Sequence, residues 1–358
     1  MEAPPTRRRS RRPATLASLA AELGISRTTV SNAYNRPDQL SPELRARVLE
    51  AARRLGYPGP DPMARSLRTR RTGAIGLIFT EALSFAFRDP AAVGFLEGLA
   101  LACEERGAGL LLVPALPGSA DPQVVNRAAV DGFVVYSMPD DDPYVTAVLG
   151  RPVPAVIVDE PVGVEGVDWV GLDDRAAAEG IGRHLAGLGH AEVGVICSRL
   201  DHDRNDGPAG PDRRRGSRYA VERARIDGLT GGLGVDAAAI AVEERFDKSP
   251  AAGRSAAAAL LDRPGLTAIA CTADVFALAV LEVARERGLR VPEDLSVTGF
   301  DDVPEAAAAR LTTVRQPMLE KGTTAGRLLL DEGDRPSARS VLLDTELVVR
   351  ASTGPARS

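Results

Sequence analysis

Apolar residues recur at helical spacing near the start of the chain. Leu16, Leu19, Ala20 and Leu23 fall at i, i+3, i+4 and i+7 and predict one apolar helix face that stops at Gly24. Gly24-Ile25 then reads as a tight turn. Ser26 is placed to cap a second short helix, with Val30 and Ala33 facing inward and Arg27, Thr28, Ser31, Asn32 and Asn35 facing outward. A loop follows from Arg36 to Leu40. Ser41-Pro42 supplies an N-cap with proline at the first helical position, and Leu44, Val48, Ala51, Ala52 and Leu55 carry a third helix to Gly56. Two helices joined by so short a glycine turn predict a helix-turn-helix, whose second helix enters the DNA major groove. Ser, Thr, Asn and Arg suit that face because they bond to bases and phosphates without adding negative charge.

From Gly73 the period changes. Short apolar runs at 74–79, 109–115, 131–137 and 155–159 predict strands of a parallel sheet buried on both faces. The rhythm resumes at 193–197, 238–243, 267–272 and 295–300. Helical segments are expected near 91–106, 174–188, 217–232, 251–262 and 274–288. Two successive βα arrays predict two similar half-domains with a cleft between them. The predicted organisation is a disordered basic tail over 1–13, an all-α headpiece over 14–58, a Pro/Gly-rich linker and hinge over 59–72, and an α/β domain over 73–353. The stretch 201–217 (DHDRNDGPAGPDRRRGS) reads as a mobile loop of low complexity.

Charge sharpens this division. Through Thr72 there are 15 arginines against six acids, net +9, whereas the remainder has 29 bases against 43 acids, net −14. A basic arm on an acidic body fits a head that binds a polyanion without drawing the rest of the protein onto it. Cys103, Cys197 and Cys271 stand singly in apolar stretches and read as reduced core residues. The arginine-rich start has no apolar segment after it and no run is long enough to span a membrane, which predicts a cytoplasmic protein. Lysine occurs only at 248 and 321 in an arginine-rich chain, a bias expected from a GC-rich genome and read as carrying no chemistry.

The segments TLASLAAELGISRTTVSNAYNRPDQLSPELRARVLEAARRLGY (15–57), ARSLRTRRTGAIGLI (64–78) and DLSVTGFDDVPEAAAARLTTVRQP (294–317) closely resemble the lactose-repressor/galactose-repressor family, and the resemblance runs from Thr15 to about Thr353. It implies a periplasmic-binding-protein-like core of two Rossmann-like subdomains behind the headpiece. It implies that Arg27, Thr28 and Asn32 read bases, while Thr15, Ser26, Thr29, Ser31 and Asn35 hold phosphates or the helix start. Leu67 matches the leucine that wedges into a central minor-groove step; the run from Tyr57 to Leu67 is one residue longer than in familiar members. Arg225 and Asp301 match effector-contacting positions. Phe87, Asp89, Ser137 and Asp159 follow strands and are expected in the cleft, and Phe246 is expected as a stacking aromatic, although its spacing differs by about two residues. Ala273 stands where many members carry a ligand-binding asparagine.

The expected partners are therefore a palindromic double-stranded operator, a small-molecule effector such as a sugar, and a second copy of the chain. The chain stops soon after 346–350, without a heptad segment, so a homodimer is expected rather than a tetramer. Family habit implies repression. No HExxH, GxSxG, P-loop or Cys/His pair is found, so neither catalytic nor metal residues nor a cofactor are expected. His184 and His190 read as structural. The competing reading, a solute-binding protein of the same core fold, leaves residues 1–70 without a purpose.

Overall fold

The computed structural model describes residues 14–60, 66, 69–79, 86–115, 121–139, 141–331, 333 and 337–357. The tail over 1–13, most of the hinge and Leu67 lie outside the described residues. The chain forms two compact units, Met1–Thr72 and Gly73–Ser358.

In the first unit α1 (Leu16–Leu23), α2 (Arg27–Asn35) and α3 (Pro42–Leu55) follow the sequence pattern. Thr15 caps α1 in a reciprocal capping box with Ser18, Ser26 caps α2 through the Thr29 amide, and Ser41 caps α3 through the Leu44 amide. Gly24 and Gly56 close α1 and α3 in the left-handed conformation, at φ 65° and 68°. Leu19, Ala20, Val30, Ala33, Val48, Ala51 and Ala52 form the buried core that fixes the three helices.

The second unit begins with β1 (Ala74–Phe79), α4 (Pro90–Arg106), β2 (Gly109–Pro114), α5 (Gln123–Arg127), β3 (Phe133–Tyr136), α6 (Pro143–Leu149), β4 (Ala155–Val158) and β5 (Asp168–Leu172). It continues with α7 (Asp174–Gly187), β6 (Val193–Ser198), β7 (Gly207–Pro208), α8 (Pro211–Arg215), α9 (Ala220–Leu233), β8 (Ala241–Arg245), α10 (Pro250–Leu261), β9 (Ala268–Cys271), α11 (Asp274–Glu286), β10 (Ser296–Thr298) and α12 (Pro304–Ala308). Last come β11 (Thr313–Arg315), α13 (Met318–Leu330), β12 (Ser340–Leu343) and β13 (Glu346–Val348).

One parallel sheet has the order β12-β5-β4-β3-β1-β2 and the other β10-β9-β6-β8-β7, parallel except for β7. Helices cover both faces of each, as the unbroken apolar runs require. The two lobes are not simply successive. Helix α13 packs on α4, and β12 pairs with β5, so residues after 317 return to the first lobe. The chain passes between lobes three times, after β5, after β11 and after β12.

The segment 201–217 is a correction to the expected mobile loop. It holds β7, paired with β8, and α8. Its charges are matched rather than solvated: the fully buried Glu244 carboxylate accepts from the Leu200 amide at 2.8 Å, Asn205 Nδ2 at 2.7 Å and Arg213 Nη2 at 2.8 Å. The same cluster explains why β8 lies at 241–245 rather than the expected 238–243. Glu243, Glu244 and Arg245 are buried together at its end, which breaks the apolar signal.

Candidate effector cleft and DNA-reading helix

The ends of β3, β4 and β10 converge between the lobes. Ser137, Asp159 and Asp301 stand there with positive φ, 48°, 63° and 133°, a conformation non-glycine residues hold only where surrounding contacts dictate it. Together with Asp89, Arg225 and Phe246 they line a cavity of about 120 Å³. Six of the seven residues expected in the cleft are thus brought together. Phe87 is not: it is 65% exposed and lies on an open surface groove outside this cavity. Phe246 lines the cavity, but the Arg199 and Arg204 guanidinium groups stand 5.3 and 5.1 Å from its ring centre, so those cations engage the expected stacking face.

Polar contacts organise the cavity. Arg225 Nε donates to Asp174 at 2.8 Å, Arg225 Nη1 donates to the Thr272 carbonyl at 2.8 Å, and the guanidinium lies 3.9 Å from the Phe300 ring centre. Burial opposes the charge on Arg225, but Asp174 and Glu222 outweigh it and hold its pKa above the ordinary arginine value. Lys321 Nζ donates to Asp159 at 2.8 Å and to Gln316 at 3.1 Å, and Gln316 Nε2 donates to Asp301 at 2.5 Å. Lys248 Nζ lies 3.1 Å from Asp89 and 3.7 Å from Asp301. Burial disfavours its charge too, and those two carboxylates reverse the effect and raise its pKa.

Glu160, Glu222, Lys248, Arg199, Tyr136 and Tyr219 also line the cavity and were missed in the sequence. Burial pushes the Glu160 carboxyl up to about 8 and raises Glu222 as well. A usable signal existed for the lysines. In a chain this rich in arginine, both lysines sit on the cavity or directly behind it, bound to aspartates, so the exceptions to the bias marked the site. An ammonium is a compact point charge with freely rotating donors, where an arginine fork would be larger and planar.

The headpiece offers a second polar face. Ser26, Arg27 and Thr28 are exposed at the start of α2, and Thr29, Ser31, Asn32 and Asn35 are half-buried along it. Ser26 Oγ and Thr29 Oγ1 are 2.9 Å apart. Asn32 Nδ2 donates to Gln39 at 3.1 Å, and Asn35 Nδ2 donates to the Ser31 carbonyl and hydroxyl, both at 3.1 Å. Arg27 has no ion pair among the described residues. Thr15, well before α2 in sequence, is exposed at the N-terminus of α1.

His184 and His190 hold structure. His190 is buried and bonds to Thr267 and Ser296 hydroxyls at 2.8 and 2.9 Å, and His184 bonds to Thr353 at 2.9 Å. The three cysteines are buried and free.

A helix-turn-helix unit on a two-lobed α/β core with a polar cavity at its strand ends defines a transcription regulator with a ligand-sensing core. Known proteins agree. A periplasmic binding protein-like domain model matches residues 183–353. An HTH-type transcriptional regulator of Mycobacterium tuberculosis is 50% identical over 354 residues, covering 96% of this chain and 98% of the relative. The crystal structure of a LacI family transcriptional regulator from Corynebacterium glutamicum is 39% identical with a TM-score of 0.73, covering 97% of this chain and all of that one. A transcriptional regulator CelR–cellobiose complex is 30% identical with a TM-score of 0.66, covering 95% of this chain and 99% of that one. The chain belongs to the LacI family of HTH-type transcriptional regulators. Among the described residues no helix is long and apolar enough to cross a membrane.

Proposed function

We propose that this regulator binds a palindromic operator as a homodimer, reads it with Arg27, Thr28 and Asn32, and adjusts its affinity when a compact neutral polyol or monosaccharide enters the cleft. The observation that carries the effector class is the charge balance of the cavity. Lys248, Arg225 and Arg199 on the lining and Lys321 behind it are matched in number by Asp89, Asp159 and Asp301 on the lining and Asp174 behind it, while burial raises Asp174 and Asp301 against the pull of their cations and pushes Glu160 and Glu222 towards their neutral forms. A fixed array of donors and acceptors without surplus charge favours hydroxyl groups over a carboxylate or phosphate. The volume, well below the roughly 300–1,000 Å³ of drug-sized pockets, favours a single ring. The cellobiose-bound relative supports a carbohydrate-like effector.

Calorimetric titration of neutral monosaccharides and cyclic polyols, beside sugar acids and sugar phosphates, tests this. One neutral compound is expected to bind, and Asp301→Asn is expected to weaken it at least tenfold. Binding by the charged compounds alone contradicts the effector class.

A further inference from the structure

Glu160 belongs to the first lobe, one residue past Asp159 at the end of β4, yet its carboxylate is bonded to the second lobe. Oε2 accepts from the Val221 amide at 3.2 Å, the Ala220 amide also donates to the carboxylate, and Ser137 Oγ lies 3.3 Å from Oε1. Ala220 and Val221 open α9, and the residue before them, Tyr219, supplies no side-chain cap. First-turn amides have no partner within their own helix. At α9 the partner comes from the opposite lobe, from a side chain only 1% exposed that has no ion pair among the described residues.

We propose that Glu160 is a cross-lobe cap, a positioning residue that docks the N-terminus of α9 onto the first lobe when the cleft is closed and takes up a proton as it closes. The inference rests on the reading that the cleft opens and closes around an effector.

With the lobes apart, the Glu160 carboxyl meets water and ionises near its ordinary 4.5; in the closed cleft burial pushes it up to about 8, outweighing the amide bonds. A protonated carboxyl keeps the Val221 and Ser137 contacts, accepting from Val221 with one oxygen and donating to Ser137 Oγ with the other. The other groups around it reinforce the neutral form or are already engaged. Asp159 on its own loop repels a second negative charge. Glu222 on α9 is also raised by burial, and Arg225 on the same helix is paired with Asp174. Arg199 and Tyr219 precede α9 and bond to each other at 3.0 Å, and Lys321 on α13 is held by Asp159.

The sign follows from the closed-state value lying above the open-state one. The contribution to closure is fully present below about 4.5, falls about tenfold per pH unit as pH rises, and levels off above about 8. Among the described residues, Lys248 with Asp89 and Asp141 with Arg218 and with His202 also cross the cleft. A change at Glu160 leaves these contacts in place.

Hydrogen exchange at the Ala220 and Val221 amides of the full chain, without effector and corrected for intrinsic rates, tests the cap between pH 6 and 9. In wild type the open fraction is expected to rise about tenfold per unit to about pH 8 and then level off. Glu160→Gln, whose amide accepts from Val221 and donates to Ser137, is expected to stay protected with no slope. Glu160→Ala is expected to open these amides at every pH. A flat wild-type profile overturns the proposal, as does a Gln variant that keeps the wild-type slope. If the Ala variant does not fold, the comparison of wild type with Gln decides. Since no effector is added, a wrong effector class leaves this result unchanged and shows itself only in the titration of neutral and charged sugars.

Discussion

The two lysines show most clearly how a residue's meaning changed between sequence and structure. Composition made them stand out only as survivors of a strong arginine bias, while burial and pairing make Lys321 a structural charge: it is 1% exposed and bonded to Asp159 at 2.8 Å. Removing one partner of such a pair leaves the other charge buried and alone, which costs about 3–5 kcal/mol. Lys321→Met is therefore expected to lower the urea midpoint sharply, and Asp159→Asn added to it is expected to recover part of the loss. Equal stability of Lys321→Met and wild type would show that the pair is solvated. Arg27 is the opposite case, an exposed cation with no ion pair among the described residues. Arg27→Ala is expected to weaken operator binding by about 1–3 kcal/mol and relax preference at one base step. Equal loss on operator and random DNA would make it a phosphate contact only.

At the scale of elements, the three headpiece helices were legible because five of their six boundaries carry local chemistry: Thr15, Ser26 and Ser41 start the helices, and Gly24 and Gly56 stop two of them. The missed elements carry weaker local signals. β5 includes Trp169 beside Gly171, and α13 includes Gly322 and Gly326, which depress helix propensity. The glycines have a packing reason that periodicity does not reveal. A Cβ at Gly322 would overlap the Phe95 carbonyl, one at Gly98 would overlap the Leu319 carbonyl, and Gly182 and Gly228 play the same part where α7 meets α9. Close approach of α4 and α13 ties the late helix to the first lobe. Gly98→Ala is expected to cost at least about 1–3 kcal/mol, measured by thermal unfolding of the core, because backbone rather than a flexible side chain must yield. An unchanged melting temperature would mean that the helices separate freely.

For the whole molecule, the sequence showed two βα arrays but not how they interlace. Residues 318–343 return to the first sheet, and pairing between β12 and β5 depends on contacts too distant for local pattern to encode. Three crossings between lobes leave few backbone connections to absorb motion, the arrangement from which hinge closure around a ligand arises. Of the six expected residues that line the cavity, Asp89, Ser137 and Asp159 were placed by their position after strands and Arg225 and Asp301 by the family resemblance, while Glu160, Glu222 and Lys248 carried no such local signal and Lys321 on α13 reaches the site only through the return of the chain. Under the proposed function, the strength of any link from effector to operator equals the difference in effector affinity between the two states.

The most direct test of this account is selection of genomic DNA fragments by the purified full chain at about 0.15 M salt, where phosphate contacts alone are weak, repeated with Arg27→Ala and with the neutral polyol that titrates the cleft. The account predicts one shared palindrome retained by wild type, lost by Arg27→Ala, and changed in occupancy by the polyol unless Asp301 is replaced by Asn. Retention without a common site, or a common site indifferent to both substitutions, would contradict it.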